Sequence, residues 1–474
     1  MTDILKPDIC VIGAGSAGLT VAAAAASFGV DVVLIEKGEM GGDCLNYGCV
    51  PSKALLAAGH HAQSIRDAKA FGVHAPEPTI DYGRVHDHIH EVIGAIAPND
   101  SQERFEAMGV TVLREAGVFT DKKTVKAGDK EIRARRFVIA TGSGPAVPPI
   151  EGIDSVSYFT NETIFGNTER PEHLVIIGGG PIGMEMAQAH RQLGAEVTVL
   201  EGAKPLGKDD PELTSLLLEE LRGEGDTIRG GAMVKRVRPE GEGVAVEIEV
   251  DGAAETVTGS HLLVAAGRAA NVNGLGLDAA GITYDKRGIK VDDGLKTTNS
   301  RVYAIGDVAG GLQFTHVAGY QASLVVRNIL FRLPIKNRTD HIPWVTFTAP
   351  ELAHVGQTEA QAREAGTDIE VLRWPYAEND RAQAERKTTG LIKVIATKKG
   401  KILGASILGA QAGEMINMWA LAVSQGMNVR ALTGYVAPYP TLSEIGRRAA
   451  VTHFTPFTQK GWVRGAVEKL RVFG

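Results

Sequence analysis

The sequence predicts an α/β protein in which one doubly wound, parallel-sheet unit occurs twice and is followed by a C-terminal α+β region. A β-branched run enters a glycine-rich turn near residue 13, and the same order of strand, turn and helix returns near residue 178. The last third has no such turn and alternates strand-like with helical segments. We therefore expect two domains of one kind and a third of another kind.

The first copy begins with the strand-like residues 8–12, and the turn 13–18 leads into an Ala-rich helix. The next apolar run ends in Glu36, 23 residues beyond Gly13. In a Rossmann-like unit the glycines let a pyrophosphate approach the helix N-terminus, and an acid about 20 residues on binds ribose hydroxyls. The alternative is a glycine-rich connection without a ligand. The predicted dinucleotide-binding residues are Gly13, Gly15, Gly18 and Glu36.

The second copy repeats this pattern over residues 174–201, with its acid again 23 residues beyond the first glycine. Each copy ends in an apolar strand that runs into another glycine turn, at Gly142 in the first copy and at Gly267 in the second. That closing glycine lies 129 residues after the first one in copy one and 89 in copy two. Copy one therefore contains an insertion of about 40 residues. The matching residues of the second copy are Gly178, Gly180, Gly183 and Glu201.

The insertion contains two cysteines, Cys44 and Cys49. Residues five apart in a regular helix differ by about 7.5 Å in rise, so a bridge between them requires a tighter backbone, for which Gly48 is suited. Cys49 lies at a predicted helix start with Lys53 one turn on, and both the helix dipole and the ammonium favour its thiolate. The alternatives are two unrelated core cysteines or half of a zinc site. The remaining cysteine, Cys10, is predicted to pack inside the first strand.

Composition excludes several classes of protein. At 474 residues the chain is long enough for about three domains, and 44% hydrophobic with 22% charged residues is ordinary for a globular protein. A formal charge of −6 gives no general attraction for nucleic acid. Three cysteines, the absence of a signal-peptide pattern and the absence of a long apolar span favour the reducing cytoplasm.

These motifs resemble the class I pyridine nucleotide–disulfide oxidoreductases, the family of dihydrolipoamide dehydrogenase, glutathione reductase and mercuric reductase. The resemblance covers nearly the whole chain in family order. The matching segments are 41–44, 49–53, 140–142, 178–183 with Glu185, 266–268, 306–308, 346–351 and 440–444.

The resemblance implies an FAD- and NAD(P)H-dependent enzyme that passes electrons through a Cys44–Cys49 disulfide to an acceptor. It implies that Cys49 lies against the flavin as the charge-transfer thiolate and that Cys44 exchanges with substrate. Lys53 and Glu185 would form an ion pair near the flavin, and Asp307 would reach the ribityl chain. No metal site is expected. The implied cofactor-binding residues are Gly13, Gly15, Gly18, Glu36, Gly42, Thr141, Gly142, Gly178, Gly180, Gly183, Glu201, Gly267, Arg268, Gly306 and Asp307.

The choice of coenzyme depends on Glu201. A carboxylate at that strand end accepts hydrogen bonds from a free 2′-hydroxyl and repels a 2′-phosphate, so NAD is favoured. Lys204, three residues on, is a candidate contact for a phosphate, so NADP stays an alternative.

The C-terminal motif departs from the dithiol-handling members of the family. Tyr439 stands where those members carry the His of a His–Glu dyad, with Glu444 in the Glu position. A phenol titrates about 3 to 4 pH units above imidazole, which counts against dihydrolipoamide or glutathione turnover. Tyrosine here is similar to mercuric reductases, although no cysteine follows Cys49 to deliver a metal ion. His453 is expected to serve packing or the surface rather than as a displaced base.

Three functional hypotheses result. A mercuric reductase-like enzyme that reduces a disulfide, metal-thiolate or related small-molecule or metal-ion acceptor is favoured, and a dihydrolipoamide dehydrogenase is the second. The third is a redox-sensing or docking flavoprotein that serves a partner.

The domain prediction assigns residues 1–150 and 271–340 to FAD and residues 151–270 to NAD(P). Residues 341–456 are predicted to form an α+β dimerisation domain of a homodimer, as the resemblance implies. The basic amphipathic tail, 457–474, is predicted to pack on its own domain, and contact with a membrane surface or a partner protein is the less favoured alternative. A metal site at His86, His88 and His90 is the less favoured reading of a solvated helix face.

Overall fold

A computed structural model describes residues 3–474 and divides them into two compact units. The first unit contains residues 3–178, 189–200 and 232–339, and the second contains residues 179–188, 201–231 and 340–474. Within the part of the chain so described, no helix is long and apolar enough to cross a lipid bilayer. The predicted α/β class is confirmed.

A five-stranded parallel sheet forms the centre of the first unit. Its strands are fully or largely buried β-branched runs, as expected for a parallel sheet covered on both faces. The helices Ser16–Ser27 and Thr315–Phe331 pack against each other, and Ala22 and Val325 share one core cluster. In sheet order the strands are Val302–Ala304, Arg136–Ile139, Ile9–Ile12, Val32–Ile35 and Thr111–Leu113.

The second copy reproduces the middle of this sheet. His173–Ile177 lies between His261–Val264 and Glu196–Glu201, and both pairings are parallel. In the first sheet Ile9–Ile12 also lies between two parallel strands. One is Val32–Ile35, the next strand of its copy, and the other is Arg136–Ile139, the strand that closes the copy. The repeat predicted from the two glycine-rich turns is therefore confirmed. The helix Pro181–Gln192 follows the second turn.

The helix predicted to start near Cys49 is present, and it belongs to a helical insertion in the first copy. The chain between Val32–Ile35 and Arg136–Ile139 forms four α-helices: Gly42–Asn46, Cys49–Asp67, Tyr82–Ile96 and Gln102–Ala107. The remaining elements of this unit are the strands Asp3–Leu5, Gly117–Asp121, Thr124–Ala127, Lys130–Ile132, Ser143–Pro145, Met233–Glu240, Gly243–Val250, Ala253–Gly259, Arg268–Ala270, Tyr284–Asp285 and Gly288–Ile289, and the helix Leu277–Ala280.

The second unit contains a five-stranded antiparallel sheet. Helices cover it, and the fully buried Trp419 and Ile445 lie in their shared core. In sheet order the strands are Pro343–Thr346, Glu351–Gly356, Ile402–Gly409, Leu391–Thr397 and Ile369–Pro375. The other elements are the strand Thr227–Gly230 and the helices Pro211–Gly223, Glu359–Glu364, Asp380–Glu385, Ala412–Ser424, Val429–Gly434, Glu444–Thr452, Thr455–Thr458 and Gly461–Leu470.

Candidate active site

The first glycine-rich turn brings the backbone close to the end of the neighbouring strand. Gly13 has φ +106°, and a Cβ there would lie 2.4 Å from the carbonyl oxygen of Ala140, so only glycine fits. The helix Ser16–Ser27 starts at Gly15 without a side-chain cap, which leaves its first backbone N–H groups directed outward. The carboxylate of Glu36 accepts hydrogen bonds from the backbone N–H of Ala14 at 2.6 Å and of Gly38 at 2.7 Å.

The second turn makes the same contacts. Gly178 has φ +118°, and a Cβ there would lie 2.4 Å from the carbonyl oxygen of Ala265. The carboxylate of Glu201 accepts from the backbone N–H of Gly179 at 2.7 Å and of Ala203 at 2.8 Å. These partners stand at the same offsets from each glycine and each acid as in the first copy. Both turns therefore fit the phosphate and ribose groups of a dinucleotide.

The other residues predicted to bind cofactor in the first unit lie at one edge of its parallel sheet. Thr141 and Gly142 follow Arg136–Ile139, and Gly306 and Asp307 follow Val302–Ala304. Because these strands are parallel to Ile9–Ile12, their carboxyl ends meet at the edge where the first turn lies. Burial raises the pKa of Asp307, which accepts a hydrogen bond from Ser143 at 2.5 Å.

The redox segment packs on the first turn. Gly41 donates its N–H to the carbonyl of Ala14 at 3.0 Å, and a Cβ on Gly42 would lie 2.8 Å from the Cα of Gly15. Gly48 also leaves little room for a side chain, because a Cβ there would lie 2.9 Å from a carboxylate oxygen of Asp43. Close packing therefore selects these glycines.

Cys44 and Cys49 lie on two different helices rather than on one. Cys44 is the third residue of Gly42–Asn46, and Cys49 is the first residue of Cys49–Asp67. The expected tightening occurs at this helix break, although Gly48 has φ −127° and needs no left-handed conformation. Both cysteines are free thiols, Cys44 half-buried and Cys49 exposed. The break lets two residues five apart in sequence interact side by side.

The two thiols have opposite pKa shifts. The hydrogen bond from Cys44 lowers the pKa of Cys49 to about 6, and a contact with Thr315 and the charge of Lys53 act in the same direction. That bond and burial raise the pKa of Cys44. The hydroxyl of Thr315 lies 3.3 Å from the Cys49 sulfur, and Ser16 hydrogen-bonds Cys44. These hydroxyls were not found by sequence reasoning, since only the fold brings Thr315 to a residue 266 positions away.

An ion pair ties the redox segment to the residue after the closing glycine of the second copy. A guanidinium nitrogen of Arg268 lies 3.0 Å from Asp43 and a second one lies 3.7 Å from Asp307. Arg268 also donates to the hydroxyl and carbonyl of Ser143, each at 2.8 Å. Sequence reasoning placed Arg268 among the cofactor residues and gave no role to Asp43, although both stand in the motifs that carry the resemblance.

Lys53 lies in the first unit and Glu185 in the second, and each has a hydrogen-bond partner within its own unit. The ammonium of Lys53 donates to the hydroxyl of Ser52 at 3.3 Å. Glu185 is buried on Pro181–Gln192 and accepts from the backbone N–H of Phe347 at 2.9 Å. Their ion pair stays a prediction.

The C-terminal motif has hydrogen-bond partners that sequence reasoning did not identify. The hydroxyl of the exposed Tyr439 donates to Asp380 at 2.7 Å, and this bond raises the pKa of Tyr439. Glu444 pairs with Arg448 one turn along its own helix, at 2.8 Å. His453 lies 2.8 Å from Glu370.

The remaining candidates lie apart from this chemistry. Cys10 is fully buried in a core cluster, and burial raises its pKa. His86 and His90 stack with ring centroids 4.1 Å apart on Tyr82–Ile96. Over residues 3–474, no group of three or more His, Cys, Asp or Glu side chains is arranged to hold a metal ion.

A pair of unlike thiols packed on a dinucleotide-binding turn, in a chain with a second such turn, defines a dithiol oxidoreductase. The family model described as pyridine nucleotide-disulphide oxidoreductase matches residues 7–322, and that of its dimerisation domain matches residues 342–450. The chain belongs to the pyridine nucleotide-disulphide oxidoreductase family, in its class I branch.

Relatives named for different activities resemble the chain to a similar degree. A mercuric reductase of Streptomyces lividans is 35% identical over 453 residues, which is 94% of this chain and 96% of the relative. A dihydrolipoyl dehydrogenase of Bacillus subtilis is 35% identical over 460 residues, again 94% and 96%. The HOCl-induced flavoprotein disulfide reductase RclA of Escherichia coli, as its Cu(II) complex, has a TM-score of 0.83 at 31% identity, with 93% of this chain and 98% of that chain covered.

The protein is therefore an FAD-dependent NAD(P)H disulfide oxidoreductase. The predicted enzyme class and fold are confirmed, and the matched dimerisation domain supports a homodimer. The identity of the acceptor does not follow from these similarities, because relatives named for mercury and for dihydrolipoamide are equally similar.

Proposed function

We propose that the protein transfers electrons from NADH to the Cys44–Cys49 couple and from there to a mercury-like metal ion or its thiolate complex. The residues of the first turn would hold FAD, which would supply two-electron redox chemistry between NADH and the disulfide. The chain's own residues bind and orient both dinucleotides and hold the two sulfurs in unlike protonation states. The lowered pKa of Cys49 and the raised pKa of Cys44 support these unlike protonation states.

Each proposed step at the sulfurs balances. With a disulfide acceptor, the Cys44 thiol gives its proton to the Cys49 thiolate as the Cys44 sulfur attacks one acceptor sulfur, and the other acceptor sulfur leaves as a thiolate that takes this proton from Cys49. Cys49 then attacks the Cys44 sulfur of the mixed disulfide and displaces the second product thiolate. With a metal acceptor, the two sulfurs bind Hg(II), two electrons reduce it to the neutral atom, and NADH becomes NAD⁺ with release of a proton.

We propose that Lys53 and Glu185 form an ion pair near the flavin site. The lowering effect of Lys53 on the pKa of Cys49 supports its half of this role. The domain assignment is also proposed: residues 1–150 and 271–340 for FAD, 151–270 for NAD(P)H and 341–456 for dimerisation.

The coenzyme is proposed to be NADH rather than NADPH. Glu201 lies at the end of its strand, and both of its carboxylate oxygens already accept backbone hydrogen bonds. A fixed carboxylate there binds a free 2′-hydroxyl and repels a 2′-phosphate.

The observation that carries the proposed acceptor is the hydrogen bond from Tyr439 to Asp380. A phenol that donates to a carboxylate, with its pKa raised, does not serve as a base for a dithiol near neutral pH. Glu444, the other member of the family dyad, is paired with Arg448. A metal ion needs no such base, because its thiolate ligands carry no proton to remove.

Dihydrolipoamide oxidation is the second candidate, and the equal similarity of the dihydrolipoyl dehydrogenase of Bacillus subtilis favours it. Both candidate reactions would use the same dinucleotide-binding turns and the same two cysteines. They differ in the role that each requires of the C-terminal motif.

An acceptor panel tests this proposal. Purified holoenzyme is given NADH with Hg(II) in excess thiol, Cu(II), lipoamide, glutathione disulfide, quinones or O₂, beside a Cys44→Ser/Cys49→Ser variant. We expect the metal-thiolate rate to exceed the lipoamide rate and to disappear in the variant. Faster lipoamide turnover would establish the second candidate, and equal rates in variant and wild type would overturn the role of the cysteines.

A further inference from the structure

The C-terminal tail ends in a helix whose apolar residues are exposed. Gly461–Leu470 presents Trp462 with 67% of its surface exposed and Leu470 with 69%, and the chain continues through Phe473 with 87% exposed. Five apolar residues recur at helical spacing along one side: Trp462, Val463, Ala466, Val467 and Leu470. An apolar helical stripe exposed in this way needs a covering surface.

The side-chain contacts at the start of the tail are made within the tail itself. Phe457 packs edge-to-face on Trp462 with ring centroids 5.4 Å apart, and Arg464 donates to the carbonyl of Thr458 at 3.2 Å. Phe457, Val463 and Val467 line a shallow groove between the last two helices, with a volume of about 480 Å³. Leu470 is not among the residues that line this groove.

Charge favours one kind of covering surface. Residues 460–474 carry four basic side chains, Lys460, Arg464, Lys469 and Arg471, against the single acidic Glu468, in a chain whose net charge is −6. Bases beside exposed Trp, Leu and Phe are typical of helices that lie in the headgroup region of anionic bilayers. The matched dimerisation domain ends at residue 450, before this helix begins.

We propose that residues 457–474 bind the surface of an anionic phospholipid bilayer, with Trp462 and Leu470 inserted among the headgroups and the basic side chains on the lipid phosphates. This inference does not depend on the acceptor. It places the reductase at a membrane surface.

Vesicle binding tests this proposal on the FAD-loaded enzyme. Vesicles of phosphatidylcholine with about 30% phosphatidylglycerol are compared with phosphatidylcholine alone by co-sedimentation. We expect binding to the anionic vesicles only, with a blue shift of tryptophan fluorescence. Trp462 is the exposed tryptophan among four, since Trp344 and Trp374 are partly covered and Trp419 is buried. A Trp462→Phe variant should bind but lack that shift.

Two variants and their controls separate the apolar from the electrostatic part. Leu470→Glu should reduce binding at least tenfold, whereas Val73→Glu, at a residue 60% exposed in a loop of the first unit, should not. Lys469→Gln should weaken binding roughly fivefold at low salt, and Lys286→Gln, an equal change of net charge elsewhere on the surface, should leave it unchanged.

Equal binding to neutral and anionic vesicles would overturn the proposal, and so would binding that survives Leu470→Glu. If Leu470→Glu keeps its vesicle binding and alters the sedimentation mass, the stripe contacts a second copy of the chain instead. NADH oxidation without vesicles is measured beside each variant and should stay at the wild-type rate.

Discussion

The hydroxyl of Thr315 lies 3.3 Å from the sulfur of Cys49, at the first residue of Thr315–Phe331. This contact lowers the pKa of the thiol, and the helix N-terminus that carries Thr315 adds positive potential on the same side. The low pKa of Cys49 therefore depends first on the hydrogen bond from Cys44 and then on Thr315, a residue that only the fold brings close.

Thr315→Val should raise the pKa of Cys49 by about one unit or less, because one hydrogen bond to a partly exposed thiolate is lost. Thr315→Ser is the matched control and should keep the wild-type value, since it keeps the hydroxyl. Both are measured in the reduced holoenzyme from the ultraviolet absorbance of the thiolate against pH. A Thr315→Val titration that overlays that of Thr315→Ser would exclude the hydroxyl as a determinant.

Alkylation of the reduced enzyme should occur at Cys49 at a lower pH than at Cys44. The pKa of Cys49 is lowered to about 6, so its thiolate is present above that pH and is lost as the pH falls through it. The iodoacetamide rate at Cys49 should reach a plateau above about pH 7 and fall about tenfold per unit well below pH 6. Cys44, with a raised pKa, should react slowly over this range. Peptide mass spectrometry assigns the sites, and earlier labelling of Cys44 would reverse the proposed roles.

Glu201→Gln should shift the enzyme toward NADPH. Removal of the charge ends its repulsion of a 2′-phosphate, and we expect the kcat/KM ratio of NADPH to NADH to rise about tenfold. Glu36→Gln is the matched control, because Glu36 makes the same two backbone bonds in the first copy. It should weaken FAD retention and leave the coenzyme ratio unchanged. A ratio that Glu201→Gln leaves at the wild-type value would remove the argument for NADH.

Tyr439→His should raise turnover of dihydrolipoamide by about tenfold or more if a missing base limits that reaction. Tyr439→Phe also loses the hydrogen bond to Asp380 but supplies no imidazole, so it should give no gain. Rates are measured with NAD⁺ and dihydrolipoamide near neutral pH. An equal gain in both variants would mean that the Tyr439–Asp380 contact restricts access, and no gain in either would mean that another property excludes this substrate.

The sequence predicted what depends on local pattern. The duplicated turns, the strands that close each copy and the helix start at Cys49 were predicted because glycine spacing, β-branched runs and helix-start residues act over a few residues. The partners Thr315 and Asp380 could not be predicted, because each is brought to its cysteine or tyrosine by the fold. Asp43 was within reach, since a carboxylate inside the redox motif requires a partner, but nothing in the spacing identified that partner as Arg268.

The central claim is that electrons reach the Cys44–Cys49 couple. Anaerobic titration of the holoenzyme with dithionite, followed by absorbance, counts the electrons taken up per FAD. Because the disulfide accepts an electron pair in addition to that of the cofactor, the wild type should take up twice as many electrons as Cys44→Ser/Cys49→Ser. The same count in both proteins would contradict the account.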